Sequence, residues 1–284
     1  MAGISVSDPE LATRLQLAID RGDLSLAYQP KIGLKSGTVS GVEALARWHD
    51  PELGDIGPSV FVPLAERFGL IDSLTEWGLR SALRQWVEWR DQGVKMHIAF
   101  NISALSLRDV YLPDYIQRLC MKEGMPCDHL TVEVTESATQ NVVRLLDTLT
   151  RFRLKGISVS LDDFGTGFSS LLQLRQLPYS EIKVDQCFVR EITRSEESRL
   201  IVKAIVDLAH GMGLVATAEG VEDLDTLLAL QEMGCDDVQG FLISPPLEGR
   251  RFMSWFLGFD PPAALLTQSA EEFRHRARSE SVFV

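Results

Sequence analysis

Glu43, Asn101, Glu133, Asp162, Asp163, Lys183 and Glu219 are the residues of this sequence whose types could do chemistry together. Five carboxylates, one amide oxygen and one ammonium would be too much like charge for an empty concave site. Hard oxygen donors of this kind suit Mg²⁺ or Mn²⁺, and several carboxylates suggest two ions sharing one of them. Two ions about 3.5–4 Å apart clamp the attacking and leaving oxygens of a phosphoryl displacement. The sharpest piece is VSLDDFGTGFSSL at 159–171, where an apolar run ends in adjacent aspartates. Asp162 and Asp163 would repel by roughly 4 kcal/mol at ~4 Å and an effective dielectric of ~20. Separation into water, protonation of one, or a bound cation relieves that. On a continuous strand the two side chains point to opposite faces. Both serve one site only if the strand ends between them, and Gly165 and Gly167 would permit that exit and a mobile loop afterwards.

Those residues meet only if strands bring them together. Strand patterns run over 24–31, 40–46, 96–102, 129–135, 157–162, 181–185, 213–218 and 237–242. Helical periodicity covers 9–21, 74–91, 112–123, 138–154, 193–211, 223–233 and 249–257. Strands alternating with helices suggest a single α/β barrel of (β/α)8 type, with a doubly wound open sheet as the alternative. The period-2 pattern separates the two. Ile98, Phe100 and Ile102 oppose Ala99 and Asn101, and Val132 and Val134 oppose Thr131, Glu133 and Thr135. Val159 and Leu161 oppose Ser158, Ser160 and Asp162; Ile182 and Val184 oppose Lys183 and Asp185; Glu43, Leu45 and Arg47 lie together. Strands covered by helices on both faces of an open sheet read as near-continuous apolar runs, which these do not. A barrel with a polar mouth explains the alternation and collects the polar residues at the carboxyl ends of the strands.

Composition narrows the functions. The chain has 284 residues, 45% of them hydrophobic, and a net charge of −12. A protein that tracks along nucleic-acid phosphates needs a basic stripe, and none is present, so no nucleic-acid polymer is expected as partner. Cys120, Cys127, Cys187 and Cys235 make no C-x-x-C pair and read as reduced, mostly buried thiols. MAGISVSDPEL lacks a charged region followed by an apolar core, and no apolar run reaches the ~18 residues of a membrane span. A cytoplasmic location without a membrane segment is expected.

Taken singly, each motif has a plainer reading. Asp-Asp before glycine is a common solvated turn. DFG resembles the kinase metal loop, without the Gly-rich loop or H-R-D motif that would accompany it. GTGFSS lacks the lysine of a P-loop. Lys183 could fill a barrel beside a carboxylate, Glu43-Ala44-Leu45 occurs in many helices, and His49 beside Asp50-Pro51 suits an exposed turn.

Jointly, YQP (28–30), EALARW (43–48), FNIS (100–103), EVTES (133–137), DDFGTGFSSL (162–171), IKVDQCFV (182–189), AEGVE (218–222) and QGFLISPPL (239–247) resemble the EAL-domain cyclic-di-GMP phosphodiesterases in order and spacing, over about residues 10–257. The resemblance implies a modified TIM barrel whose first strand runs antiparallel. It also implies hydrolysis of cyclic di-GMP to linear 5′-pGpG by a two-metal mechanism with Mg²⁺ or Mn²⁺. It assigns the metals to Glu43, Asn101, Glu133, Asp162, Asp163 and Glu219, with Asp162 bridging. Lys183 would contact the attacking water, and with Glu43 and Glu219 carry the catalysis. Arg47 would meet a phosphate; Gln29, Leu45, Asp185, Glu222, Gln239 and Pro246 would be further substrate contacts. Glu136 would anchor the loop after Asp163, which the family ties to dimerisation. Phe168 and Phe241 stand where tyrosine is common, and ISPPL departs from a region that often carries a basic residue.

The expected organisation is a short extension at 1–9, the barrel at 10–258 and a charged tail at 259–284. Cyclic di-GMP and a second copy of the chain are the expected partners, with a regulatory domain or partner acting in trans. No Gly-Gly-Asp-Glu-Phe motif occurs, so synthesis of the nucleotide is not expected. The rival readings are a receptor or scaffold that binds the dinucleotide without turnover, and a metal-assisted lyase on the same fold.

Overall fold

The computed structural model describes residues 6–135, 142–166, 171–262 and 265. An opening helix, α1 (Asp8–Arg21), leads into β1 (Leu24–Gly33) and β2 (Val39–Asp50). The connection at 34–38 is far too short for a parallel crossover, so β1 and β2 form an antiparallel hairpin that pairs Gln29 with Glu43. A short β3 (Gly54–Ile56), α2 (Pro58–Arg67) and α3 (Ile71–Asp91) follow. The chain then alternates β4 (Ile98–Asn101), α4 (Leu112–Glu123), β5 (Leu130–Thr135), α5 (Val142–Leu154) and β6 (Ser158–Phe164). It continues through α6 (Leu171–Gln176), β7 (Glu181–Val184), α7 (Gln186–Val189), α8 (Glu196–Gly211) and β8 (Val215–Ala218), then α9 (Leu224–Met233), β9 (Asp237–Gln239), β10 (Leu247–Glu248) and α10 (Gly249–Leu257).

The strands β1, β2 and β4 to β9 close into a barrel. From β2 through β9 the barrel neighbours pair parallel, whereas β1 runs antiparallel to both β2 and β9. This is a modified TIM barrel with a reversed first strand. Val132, Val159, Ile182 and Val184 are fully buried on the outer face, under the helices. Lys31, Glu43, Glu133, Ser160, Asp162, Glu181, Lys183, Thr217 and Gln239 are buried as well, and their alternation with the apolar set puts them inside. The branched apolar layers that usually fill such a barrel are here replaced by a network of charges and amides.

Local chemistry sets the helix ends. Asp223 caps α9 by accepting the Thr226 N–H at 2.8 Å, and Gly234 ends it in the left-handed conformation (φ 82°). The sequence gives no periodic warning of α2, because Pro58 starts it and Pro63 interrupts its hydrogen-bond ladder. Packing overrides that penalty: Phe61, Leu64 and Ala65 join Leu15, Trp48 and Leu74 in a second core cluster. The helix expected from 193 begins at 196, after α7, and the helix expected from 138 is described from 142 onward.

Asp50 ties this second cluster to the barrel. Its Oδ1 accepts the N–H groups of Glu52 (2.9 Å) and Leu53 (3.0 Å) and an Arg14 guanidinium N–H (3.2 Å). Burial alone would raise its pKa; these donors outweigh it and hold the carboxyl below its ordinary 3.8. A depressed folded pKa contributes stability that is complete above the unfolded pKa and lost as pH falls through the folded one. Asp50→Asn is therefore expected to lower the urea midpoint at pH 7. The gap to wild type should narrow below pH 3.8 and close at more acid pH; a gap that persists there contradicts the assignment.

Candidate active site

Lys183 stands at the centre of the upper barrel with none of its side chain exposed. Its Nζ lies 2.6 Å from Glu219 Oε1, 3.1 Å from Glu133 Oε1, 3.2 Å from Asp162 Oδ1 and 3.4 Å from Glu43 Oε2. Those carboxylates come from β2, β5, β6 and the end of β8. Asn101 on β4 donates to Glu43 Oε1 at 2.7 Å, and Gln239 on β9 donates to Glu43 Oε2 at 2.7 Å. The same Gln239 amide donates to Gln29 Oε1 (3.0 Å), and Gln29 donates to the Ser244 carbonyl (3.3 Å). Two expected substrate contacts thus also orient a site carboxylate.

One ammonium cannot balance this much negative charge. Burial works against the Lys183 cation, but the surrounding carboxylates outweigh it and hold its pKa well above the lysine value. Burial works against the Glu43 carboxylate too, yet Lys183 and the two amides keep it below its ordinary value. Glu133, by contrast, is pushed well up, first by burial and then by Glu43. Glu219 is pushed up to about 8, mainly by burial, with Asp162 and Glu43 adding and Lys183 opposing. Neither oxygen of buried Glu133 accepts a hydrogen bond. A fully buried carboxylate without hydrogen bonds is costly; Glu133 has only a share of the Lys183 ammonium, 3.1 Å from its Oε1, and a further cation would complete its neutralisation.

Asp163 corrects the expectation that the strand stops between the two aspartates. β6 runs on to Phe164, and its pairing with β7 shifts register between Leu161 and Phe164. Within that irregularity Asp163 takes φ 57°, which among the described residues no other non-glycine adopts at positive φ. The left-handed turn costs about 1–2 kcal/mol for an ordinary L-residue and less for aspartate. It swings the second carboxylate back toward the first. Oxygens of Asp162, Asp163 and Glu219 lie within 4.8 Å of one another, a geometry that could hold a metal ion. Asp163 is pushed up to about 6 by burial, then by Asp162 and by Asp185. Gly165 (φ 102°) turns the chain away afterwards, close against Phe188.

Two clefts open on this cluster and share Leu45 and Asp162. The larger, about 810 Å³, runs between α2, α3 and the ends of β2 and β4, and is walled largely by apolar side chains such as Trp77 and Phe100. The smaller, about 190 Å³, is lined by more polar than apolar residues and reaches Gln29, Glu222, Gln239, Arg190 and the exposed Phe241. Asp185 lies at the N-terminus of α7, where it accepts the Cys187 N–H at 2.8 Å. Arg47 is half-buried, with its guanidinium turned to the Ala46 carbonyl (2.9 Å); neither it nor Pro246 lines either cleft. Glu136 and Phe168 lie outside the described residues. Gln186 and Arg190 escaped the sequence reading: α7 is too short to show a period, and Arg190 reaches the cleft through its 2.6 Å pair with Glu222. The thiols are free, and only Cys120 and Cys235 are buried, fewer than expected.

A closed barrel with a reversed first strand and an acidic mouth gathered about one lysine defines a modified-TIM-barrel protein with an acidic candidate site. The chain belongs to the EAL domain family, whose model matches residues 12–246. It is 40% identical over 247 residues to the bifunctional diguanylate cyclase/cyclic di-GMP phosphodiesterase MucR of Pseudomonas aeruginosa, covering 86% of this chain and 36% of that protein. It is 38% identical to the cyclic di-GMP phosphodiesterase PdeR of Escherichia coli, covering 87% of this chain and 37% of PdeR. The chain thus spans little more than a third of the length of these relatives. A solved structure of the PaMucR phosphodiesterase in a c-di-GMP complex superposes with a TM-score of 0.81 at 40% identity, covering 85% of this chain and 99% of that one. Among the described residues no helix is long and apolar enough to cross a membrane.

Proposed function

We propose that this chain is a cyclic-di-GMP phosphodiesterase that opens one phosphodiester bond to give linear 5′-pGpG. The observation that carries the reading is the cluster around Lys183: every metal and lysine position implied by the family motif is present, and the six proposed ligands lie at one barrel mouth. The relatives' names and the c-di-GMP complex point to the same substrate.

Glu43, Asn101, Glu133, Asp162, Asp163 and Glu219 would hold two Mg²⁺ or Mn²⁺ ions. The unsatisfied oxygens of Glu133 and the excess of carboxylates over cations fit such ions. When bound, the ions supply charge neutralisation at phosphorus and make water more acidic. Lys183, at the centre of the proposed ligands, would orient the attacking water by donating a hydrogen bond to it. Water oxygen joins phosphorus, the bond to the 3′ oxygen breaks, and that oxygen leaves with a proton. The two clefts flank the cluster across Leu45 and Asp162, which suits a ligand carrying one base on either side of its phosphodiesters. Arg47, Asp185, Glu222 and Pro246 remain proposed contacts, and the location we infer is cytoplasmic. We also infer a homodimer; exposed Leu171 and Leu172 offer it an apolar patch beside the site loop.

Turnover of cyclic di-GMP with Mg²⁺ or Mn²⁺, followed by nucleotide separation, is expected to yield pGpG from wild type and none from Glu43→Ala. Binding without product would place the chain among receptors, and neither binding nor product would end the reading.

A further inference from the structure

Below the site, a second buried charge pair occupies the barrel. Lys31 on β1 and Glu181 on β7 are each 7% exposed, and Lys31 Nζ donates to Glu181 Oε1 at 3.0 Å. The fully buried Thr217 hydroxyl donates to that same oxygen at 2.5 Å. This pair lines a cavity of about 230 Å³ at the amino ends of the strands, together with Asp237 and His97. Asp237 is engaged separately, by Ser40 at 3.0 Å.

The row of side chains across the sheet links this layer to the site. Glu133 pairs in register with Ser160, and Ser160 with Glu181, so the two glutamates are neighbours but one, roughly 10 Å apart at their backbones. The Ser160 hydroxyl between them has no hydrogen-bond partner. Lys31 lies in the field of Glu181, Glu133 and Asp237, and the ion pair it makes is with Glu181, which holds the ammonium with help from Thr217.

We propose that Glu181 is a positioning residue for the metal site: it retains the Lys31 ammonium in the lower barrel and so leaves Glu133 to a metal ion. The inference rests on the reading that Glu133 holds a metal. Without the Glu181 charge, Lys31 loses its hydrogen-bonded partner, and Asp237, engaged by Ser40, is the remaining acid of the cavity, so more of the Lys31 charge is felt by Glu133 and by any cation beside it. With the Glu181 charge in place the Lys31 ammonium is paired and opposes cation binding above less.

Mn²⁺ titration of the full chain, with free Mn²⁺ followed by electron paramagnetic resonance, tests this without reference to turnover. Glu181→Gln is expected to weaken Mn²⁺ binding about tenfold, and Lys31→Met/Glu181→Gln to recover most of that loss. A purely structural role predicts the reverse order, because the double variant disturbs two buried groups. Wild-type affinity in Glu181→Gln, or a double variant no better than the single, overturns the proposal. Should Glu181→Gln fail to fold, Thr217→Val loosens the same carboxylate and is expected to weaken binding about threefold; no shift would overturn the proposal equally. Wild-type affinity in Glu133→Gln would instead bring down the metal reading, and this inference with it.

Discussion

Glu133→Gln is expected to reduce cyclic-di-GMP turnover by about a thousandfold or more while leaving the metal-free fold as stable as wild type, or slightly more so. The two effects separate because of what surrounds the carboxyl. Glu133 is fully buried, accepts no hydrogen bond and is pushed well above the ordinary glutamate pKa, first by burial and then by Glu43. Without metal it is a liability to the fold, and a neutral amide of the same shape removes that liability. In the proposed function it is a cation ligand under turnover conditions, and the amide would remove the charge that holds the ion. Turnover with Mg²⁺ or Mn²⁺, set beside thermal unfolding in a chelator, reads both. A variant that unfolds early in chelator would make Glu133 a structural group, and one that retains activity would remove it from the ligand set.

Lys183→Met is expected to lose both activity and metal-free stability, with only the stability returning on addition of Mn²⁺. Lys183 is the nearest cation to Glu43, Glu133, Asp162 and Glu219 at once. Removing one partner of a buried ion cluster strands the others at a cost of about 3–5 kcal/mol. Divalent ions that bind the folded site and not the unfolded chain offset that loss by mass action. Activity does not return, because methionine has no donor to orient the water. Unfolding temperature in chelator and in Mn²⁺, with product formation measured on the same samples, distinguishes this from a general packing defect. A variant equally unstable in both buffers would refute the electrostatic account.

Much of the site is legible in the sequence, for a local reason. Side chains alternate along a strand, so Glu133, Asp162 and Lys183 could be assigned to the face opposite Val132, Leu161 and Ile182 from a few residues of sequence each. That assignment holds, as does the barrel it implied. The reversed first strand entered only through family resemblance, although the sequence contained a physical signal for it: the connection at 34–38 cannot cross over a sheet. Helix α2 was hidden because its two prolines argue against a helix locally, and only its packing with α1, α3 and Trp48 outweighs them.

The chain's own order of residues determined which groups are polar and which face of each strand they occupy. Tertiary structure decided the rest, because the deciding contacts join residues far apart in sequence. Gln239 meets Glu43 across 196 positions, and Lys31 meets Glu181 across 150. Asp163 shows the same limit at short range. Its neighbour relation to Asp162 is plain in the sequence, but the left-handed turn that brings both carboxylates to one site accompanies a register shift against β7. A strand cannot specify that shift alone, since register exists only between two strands once they pair.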